Sequence, residues 1–259
     1  MSSRLHPYDA VENFRDFGDY ATAAGRRVRS GLLFRSGHHA RATVGDLAKL
    51  GALGLGTVVD LRRPIERTKQ PSKRPDGFAG QVLTSHLDAV GEAPHITFLK
   101  SGDLTPDSGR RFMTGLYGEM AYAPSHLEVF SACFRALADS DGPVLIHCAA
   151  GKDRTGLLAA LTHHLLGVGR DDLLEDYLLT NRAVDLEGRA PDIAIQLEKA
   201  TGRKPSHDAV VAFMGVEPAF LDAAIRSIEA RSGSLDGYLE SALGVDTAMR
   251  DRIGERLSA

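Results

Sequence analysis

Cysteine is scarce in this 259-residue sequence: Cys133 and Cys148 are the only two. A disulfide framework needs more, and neither has a partner at the Cys-x-x-Cys spacing of a zinc site. No apolar run approaches the roughly 20 residues that cross a bilayer as a helix. The N-terminal stretch Met1-Ser2-Ser3-Arg4-Leu5-His6-Pro7 lacks the apolar core of a signal peptide. A cytoplasmic location is therefore expected, where a free thiol stays reduced. An excess of either charge is missing too: 31 Lys and Arg stand against 34 Asp and Glu, a formal net charge of -3. That balance argues against a nucleic-acid partner, which draws a basic surplus. It leaves room for a local basic pocket around an anionic substrate. Repeats and low-complexity tracts are absent, and 43% hydrophobic with 25% charged residues predicts a folded chain. Residues 1–259 are read as a single domain.

Short strands and helices alternate in the first two thirds. Residues 1–40 read as extended pieces and turns, with a strand at 32–35. Thr43 and Asp46 form the pattern of a capping box, so a helix is expected over 43–53. The β-branched run Thr57-Val58-Val59, bounded by Gly56 and by Arg62-Arg63-Pro64, predicts a buried strand at 56–61. Residues 62–123, rich in Gly, Pro and charge, read as loops around a site, with a short strand at 82–84. Pro124 opens a helix to about 138 whose apolar face is Leu127, Phe130, Phe134 and Leu137. A strand follows at 144–146, then a helix over 155–166 that is apolar nearly all round. Beyond 170 helices are expected near 171–183, 186–200, 207–214, 217–231, 234–243 and 246–257. This order predicts an α/β fold: a central, mainly parallel sheet flanked by helices, with an extended helical C-terminal part. Such sheets bind ligands beyond the carboxyl ends of their strands, and two strands here end in reactive residues, Asp60 and Cys148.

The segment His147-Cys148-Ala149-Ala150-Gly151-Lys152-Asp153-Arg154-Thr155-Gly156 joins a buried strand to a buried helix. A phosphate monoester carries about two negative charges near neutral pH and needs converging donors. A loop winding into a helix N-terminus supplies backbone N–H groups and a positive dipole end. Small side chains at Ala149, Ala150 and Gly151 let the backbone come close. Arg154 adds a planar fork of donors. Lys152 is read either as solvated or as reaching a second phosphate. A thiol placed here ionises readily, which makes Cys148 the expected nucleophile and phosphocysteine the expected intermediate. Thr155 is expected to hydrogen-bond the thiolate or to assist its second step, and His147 to hold the loop. The leaving oxygen needs a proton from Asp153 or Asp60. Asp153 is preferred, because a strand-end Asp60 is as readily explained by pairing with Arg62, Arg35 or Arg154.

The pattern H-C-x-x-G-K-D-R-T-G resembles the signature of bacterial atypical tyrosine phosphatases of the protein tyrosine phosphatase B type. Further segments are similar to that family's: Asn13-Phe14-Arg15-Asp16-Phe17-Gly18, Leu33-Phe34-Arg35-Ser36, Val59-Asp60-Leu61-Arg62, Tyr177 to Asn181, and Gly233 to Leu239. The resemblance implies a cysteine-phosphatase fold with no metal or other cofactor. It implies action on phosphotyrosine, phosphoserine or phosphothreonine, and phosphoinositides. It also implies a two-helix lid after the loop, for which 185–215, punctuated by Gly188, Pro191, Gly202, Pro205 and Gly215, is the candidate. No Trp-Pro-Asp acid loop is present, as in the family. The competing reading is a non-catalytic module that binds phosphate or phosphoinositide. It is disfavoured because both Cys148 and Arg154 are present, and the Arg-Thr-Gly ending disfavours a rhodanese-like sulfur carrier. Cys133, His163 and His164 read as packing residues, Arg15, Asp16 and Arg35 as a supporting ion-pair layer, and Met113 and Tyr117 as core or entrance.

Overall fold

The computed structural model describes residues 4–87, 94–101 and 103–259. In chain order its first elements are β1 (Arg15–Asp16), β2 (Leu33–Ser36), α1 (Val44–Ala52), β3 (Thr57–Asp60), α2 (Pro64–Lys69), β4 (Gln81–Thr84) and α3 (Pro94–Ser101). They are followed by α4 (Pro106–Met120), α5 (Pro124–Asp139), β5 (Val144–His147) and α6 (Asp153–Leu165). Six more helices complete the described chain: α7 (Arg170–Ala183), α8 (Leu186–Thr201), α9 (His207–Met214), α10 (Pro218–Ser232), α11 (Leu235–Ser241) and α12 (Thr247–Leu257).

The strands form one sheet in the order β1-β2-β5-β3-β4, with β1 antiparallel to β2 and every other neighbour parallel. Parallel strands must be covered on both faces, and the alternation of β5 shows how. Val144 and Ile146 enter the large cluster built with α4, α5, α6, α10, α11 and α12. Leu145 enters a smaller one on the other face, with Phe34, Val58 and Leu50 of α1. α1 starts where the capping box predicts: Thr43 Oγ1 accepts the Asp46 amide, and the Asp46 carboxylate accepts the Thr43 amide. α6 is buried along almost its whole length, in keeping with apolar residues on nearly all its faces.

The main departure from the sequence reading lies in 62–123, where α2, α3 and α4 replace the expected loops. In α4 the apolar period is present, since Met113, Leu116, Tyr117 and Met120 follow the i, i+3, i+4, i+7 spacing. Gly109, Gly115 and Gly118 obscure it, each less favourable than Ala in a helix by about 1 kcal/mol. Packing against α9 and α10 supplies what local propensity lacks. The C-terminal helices fall within a residue or two of expectation. Among the described residues, no helix is long and apolar enough to cross a membrane.

Candidate active site

β5 ends at His147 in the middle of the sheet, and the next residue, Cys148, is only 2% exposed. The parallel register sets Asp60 of β3 opposite His147, so the two strand ends singled out in the sequence meet. The loop after Cys148 turns at Gly151, where φ is +67°. A Cβ there would lie 2.3 Å from the Ser36 carbonyl, so only glycine fits. The Gly151 carbonyl is tied back by Asn13 Nδ2 at 2.8 Å and Arg35 Nη2 at 3.0 Å. Held there, it does not turn into the loop to repel an anion. Ala149 and Ala150 complete the bend that delivers the chain to the N-terminus of α6.

Behind the loop lies a buried ion triad. Asp176 of α7 accepts from Arg15 Nε at 2.8 Å and from Arg35 Nη1. Burial opposes ionisation of Asp176, but the two guanidinium groups outweigh it and hold the carboxyl well below the usual range. The sequence reading found the two arginines and missed Asp176. It also placed Asp16 in this layer. Asp16 instead accepts the backbone amides of Gly18 and Gly31.

Asp60 receives Arg62 Nε at 2.9 Å and Nη2 at 2.7 Å. Burial again opposes ionisation, but His147 and Arg62 outweigh it and lower Asp60 to about 2. Of the two readings of Asp60, pairing with Arg62 is the arrangement present. The His147 ring is fully buried and stacked on His39, and burial pushes it down to about 4. It is a neutral spacer that holds the loop.

Asp153, the first residue of α6, faces a different neighbourhood. Its Oδ1 accepts the Tyr117 hydroxyl at 2.9 Å, and Tyr117 accepts Tyr177 at 2.8 Å. Tyr117 and Met113 are therefore buried on α4, and Tyr117 also touches the site. Lys152 departs from the solvated reading. It is 8% exposed. Its Nζ donates to the carbonyls of Met214 at 3.0 Å and Phe213 at 3.3 Å, at the end of α9. It is thus buried and not solvated, and it also lies 3.6 Å from Asp153 Oδ1. Thr155 Oγ1 is buried without a hydrogen-bond partner among the described residues, so the expected bond to Cys148 is not made here.

Arg154 is gripped by a residue the sequence reading passed over. Glu66 Oε2 and Oε1 accept from its Nη1 at 2.6 Å and Nη2 at 2.9 Å. Burial would lower the Arg154 pKa, but Glu66, Cys148 and Asp153 together raise it, so the guanidinium is permanently charged. The signal for Glu66 was local: Arg63-Pro64-Ile65-Glu66 has proline at the first helical position and an acid at the third. Cys133 is core, its thiol pushed up to about 12 by burial. His163 packs on Phe17 and Tyr20, whereas His164 pairs with Asp236 at the surface. A surface cleft of about 790 Å³ lies at the opposite end of the strands beside Gly56, Gln81 and Asp141 and includes none of the loop.

Residues 6–259 match the family described as "Tyrosine phosphatase family". The chain is 36% identical over 244 residues to a Cupriavidus necator protein named as a tyrosine-protein phosphatase, covering 93% of this chain and 85% of that one. It is 34% identical over 270 residues to the triple specificity protein phosphatase PtpB of Mycobacterium tuberculosis, covering 93% and 94%. A tyrosine-protein phosphatase of Nostoc commune is 29% identical over 238 residues, covering 84% and 71%.

Proposed function

The chain belongs to the tyrosine phosphatase family and is a phosphatase, and from that premise we propose that it hydrolyses phosphomonoesters through Cys148. The Cys148 thiolate attacks phosphorus in line, forming the S–P bond as the ester P–O bond breaks. Backbone amides from Ala149 through Thr155 and the Arg154 guanidinium take the phosphoryl oxygens. Asp153 gives its proton to the leaving oxygen. In the second step its carboxylate takes a proton from water, the water oxygen bonds to phosphorus, and the S–P bond breaks to release phosphate. His147 keeps the loop in shape. No metal or other cofactor enters the scheme. The observation that supports this reading most is the setting of Cys148, between the end of a central parallel strand and a buried helix N-terminus, with a paired, charged arginine six residues on.

The substrate class we propose is phosphotyrosine and related aryl phosphates, in a cytoplasmic setting. The Mycobacterium tuberculosis relative is named for triple specificity, and on that ground phosphoserine, phosphothreonine and phosphoinositides are secondary candidates here. We further propose that α8 and α9, within 185–215, act as a lid. Near-complete burial of Cys148 and the Lys152 bonds to α9 support this, because substrate needs the loop uncovered. The test is Cys148→Ser. It is expected to abolish turnover of p-nitrophenyl phosphate, to retain the fold, and still to bind vanadate or phosphate. Chelator is expected to leave wild-type activity unchanged. Full activity in Cys148→Ser would overturn the mechanism, whereas phosphate binding without turnover in wild type would favour the non-catalytic module.

A further inference from the structure

Resting on the reading of Arg154 as a phosphate-gripping residue, we infer that Glu66 is a positioning residue. It holds the outer fork of the Arg154 guanidinium and leaves the inner edge for the phosphoryl group. A guanidinium carries five N–H donors in one plane. Nη1 gives one to Glu66 Oε2 at 2.6 Å and one to the Leu61 carbonyl at 3.1 Å. Nη2 gives one to Glu66 Oε1 at 2.9 Å. The Nε–H and the second Nη2–H remain, without a partner among the described residues. These two are adjacent and point the same way, the geometry that takes two oxygens of one phosphate. A carboxylate that competed with substrate would sit on that edge, and Glu66 sits on the other.

Glu66 is anchored independently of Arg154. Pro64 opens α2 four residues after the end of β3, and Glu66 Oε2 caps its first turn by accepting the Arg63 amide at 2.8 Å. Leu61, which takes the remaining Nη1 donor, lies in the short connection between β3 and α2. The guanidinium is therefore clamped on two sides to one short piece of backbone, fixed to the sheet. The pair is mostly buried, with side chains 18% and 23% exposed. Without Glu66, a charged group in that setting would lose its counter-ion and swing toward water. A displacement of about 1 Å at a group that stabilises the transition state costs on the order of 10²-fold in rate.

A double-mutant cycle of Glu66→Ala with Arg154→Lys tests this. It is read as kcat and KM for p-nitrophenyl phosphate and, in a Cys148→Ser background, as the affinity for inorganic phosphate by calorimetry. Glu66→Ala is expected to lower kcat on the order of 10²-fold, to raise KM far less, and to weaken phosphate binding. Glu66→Gln keeps one acceptor oxygen and is expected to recover part of the rate. In the Arg154→Lys background, Glu66→Ala is expected to add less than about two-fold, because a lysine has no fork to orient. Tighter phosphate binding or faster turnover in Glu66→Ala would make Glu66 a plug and overturn the assignment. Full additivity with Arg154→Lys would overturn it as well. If Glu66→Ala does not fold, Glu66→Gln carries the same cycle. If wild type fails to turn over the aryl phosphate, the functional reading falls, while phosphate affinity still decides on Glu66: an unchanged affinity there overturns the inference.

Discussion

Carboxylate chemistry at this site is divided by neighbours. Asp60 and Asp153 both border the phosphate loop, yet Asp60 meets two nitrogens of Arg62 and Asp153 meets a phenol. The first arrangement occupies both Asp60 oxygens with one guanidinium, while Asp153 Oδ1 takes a phenol hydroxyl and lies 3.6 Å from Lys152 Nζ. Asp153→Asn is therefore expected to slow aryl phosphates with poor leaving groups by roughly 10²–10⁴-fold, the range of general acid catalysis. Those with good leaving groups, which need little protonation, should be slowed much less. Asp60→Asn should lower all substrates alike, through loosening of Arg62 and the loop. The slope of log kcat against leaving-group pKa distinguishes them, and a steeper slope in Asp60→Asn would reverse the assignment.

At the scale of elements, the loop is tied both to the sheet and to α9. Asn13, Arg35 and the Ser36 backbone hold Gly151 on the sheet side. Lys152 reaches the opposite way and donates to the last carbonyls of α9, where a cation also suits the negative end of the helix dipole. Hydrogen bonds from a charged group contribute about 1.5–3 kcal/mol. Lys152→Ala is thus expected to loosen α9 and α8. Hydrogen exchange there should quicken, while α5 and α12 on the far side of the core keep their protection. Lys152→Met, which retains the buried stem, should quicken exchange too, because the bonds and not the packing are lost. Unchanged exchange in both variants would remove Lys152 as the tie between the loop and α9.

For the whole molecule, buried neutral histidines set the acid limit. His39, His147 and His163 are each at most 1% exposed, and burial lowers all three, His147 to about 4 from 6.5. An unfolded chain takes up these protons near pH 6.5, and the folded chain takes them up only at lower pH, His147 near pH 4. Stability is therefore fully present above the unfolded value and falls as pH drops through that window, by up to roughly 1.4 kcal/mol per pH unit for each histidine. Asp60 adds a second loss lower down, between its ordinary 3.8 and about 2, with the same sign, since its folded pKa is depressed. The melting temperature is expected to be flat above pH 7 and to fall from about pH 6.5, before carboxylates titrate. Calorimetry across pH 4–8 checks this, and a curve flat down to pH 5 would contradict it.

Much of this architecture was legible from pattern alone, because its causes are local. The capping box at Thr43 starts α1, the β-branched run makes β3, and a segment apolar nearly all round is a buried α6. The phosphate loop is local too, since its donors are mostly its own amides and Arg154. What spacing could not reveal were partners distant in the chain and close in space. Asp176 meets arginines more than 140 residues away, Glu66 meets Arg154 across 88 residues, and Tyr117 meets Asp153 across 36. No periodicity encodes such pairs. The sequence determined that Cys148 and Arg154 share one loop between a strand and a helix. Only the tertiary structure decided which carboxylate holds that arginine, which one meets Tyr117, and which lysine is spent on α9. Those outcomes depend on which side chains are brought together out of water.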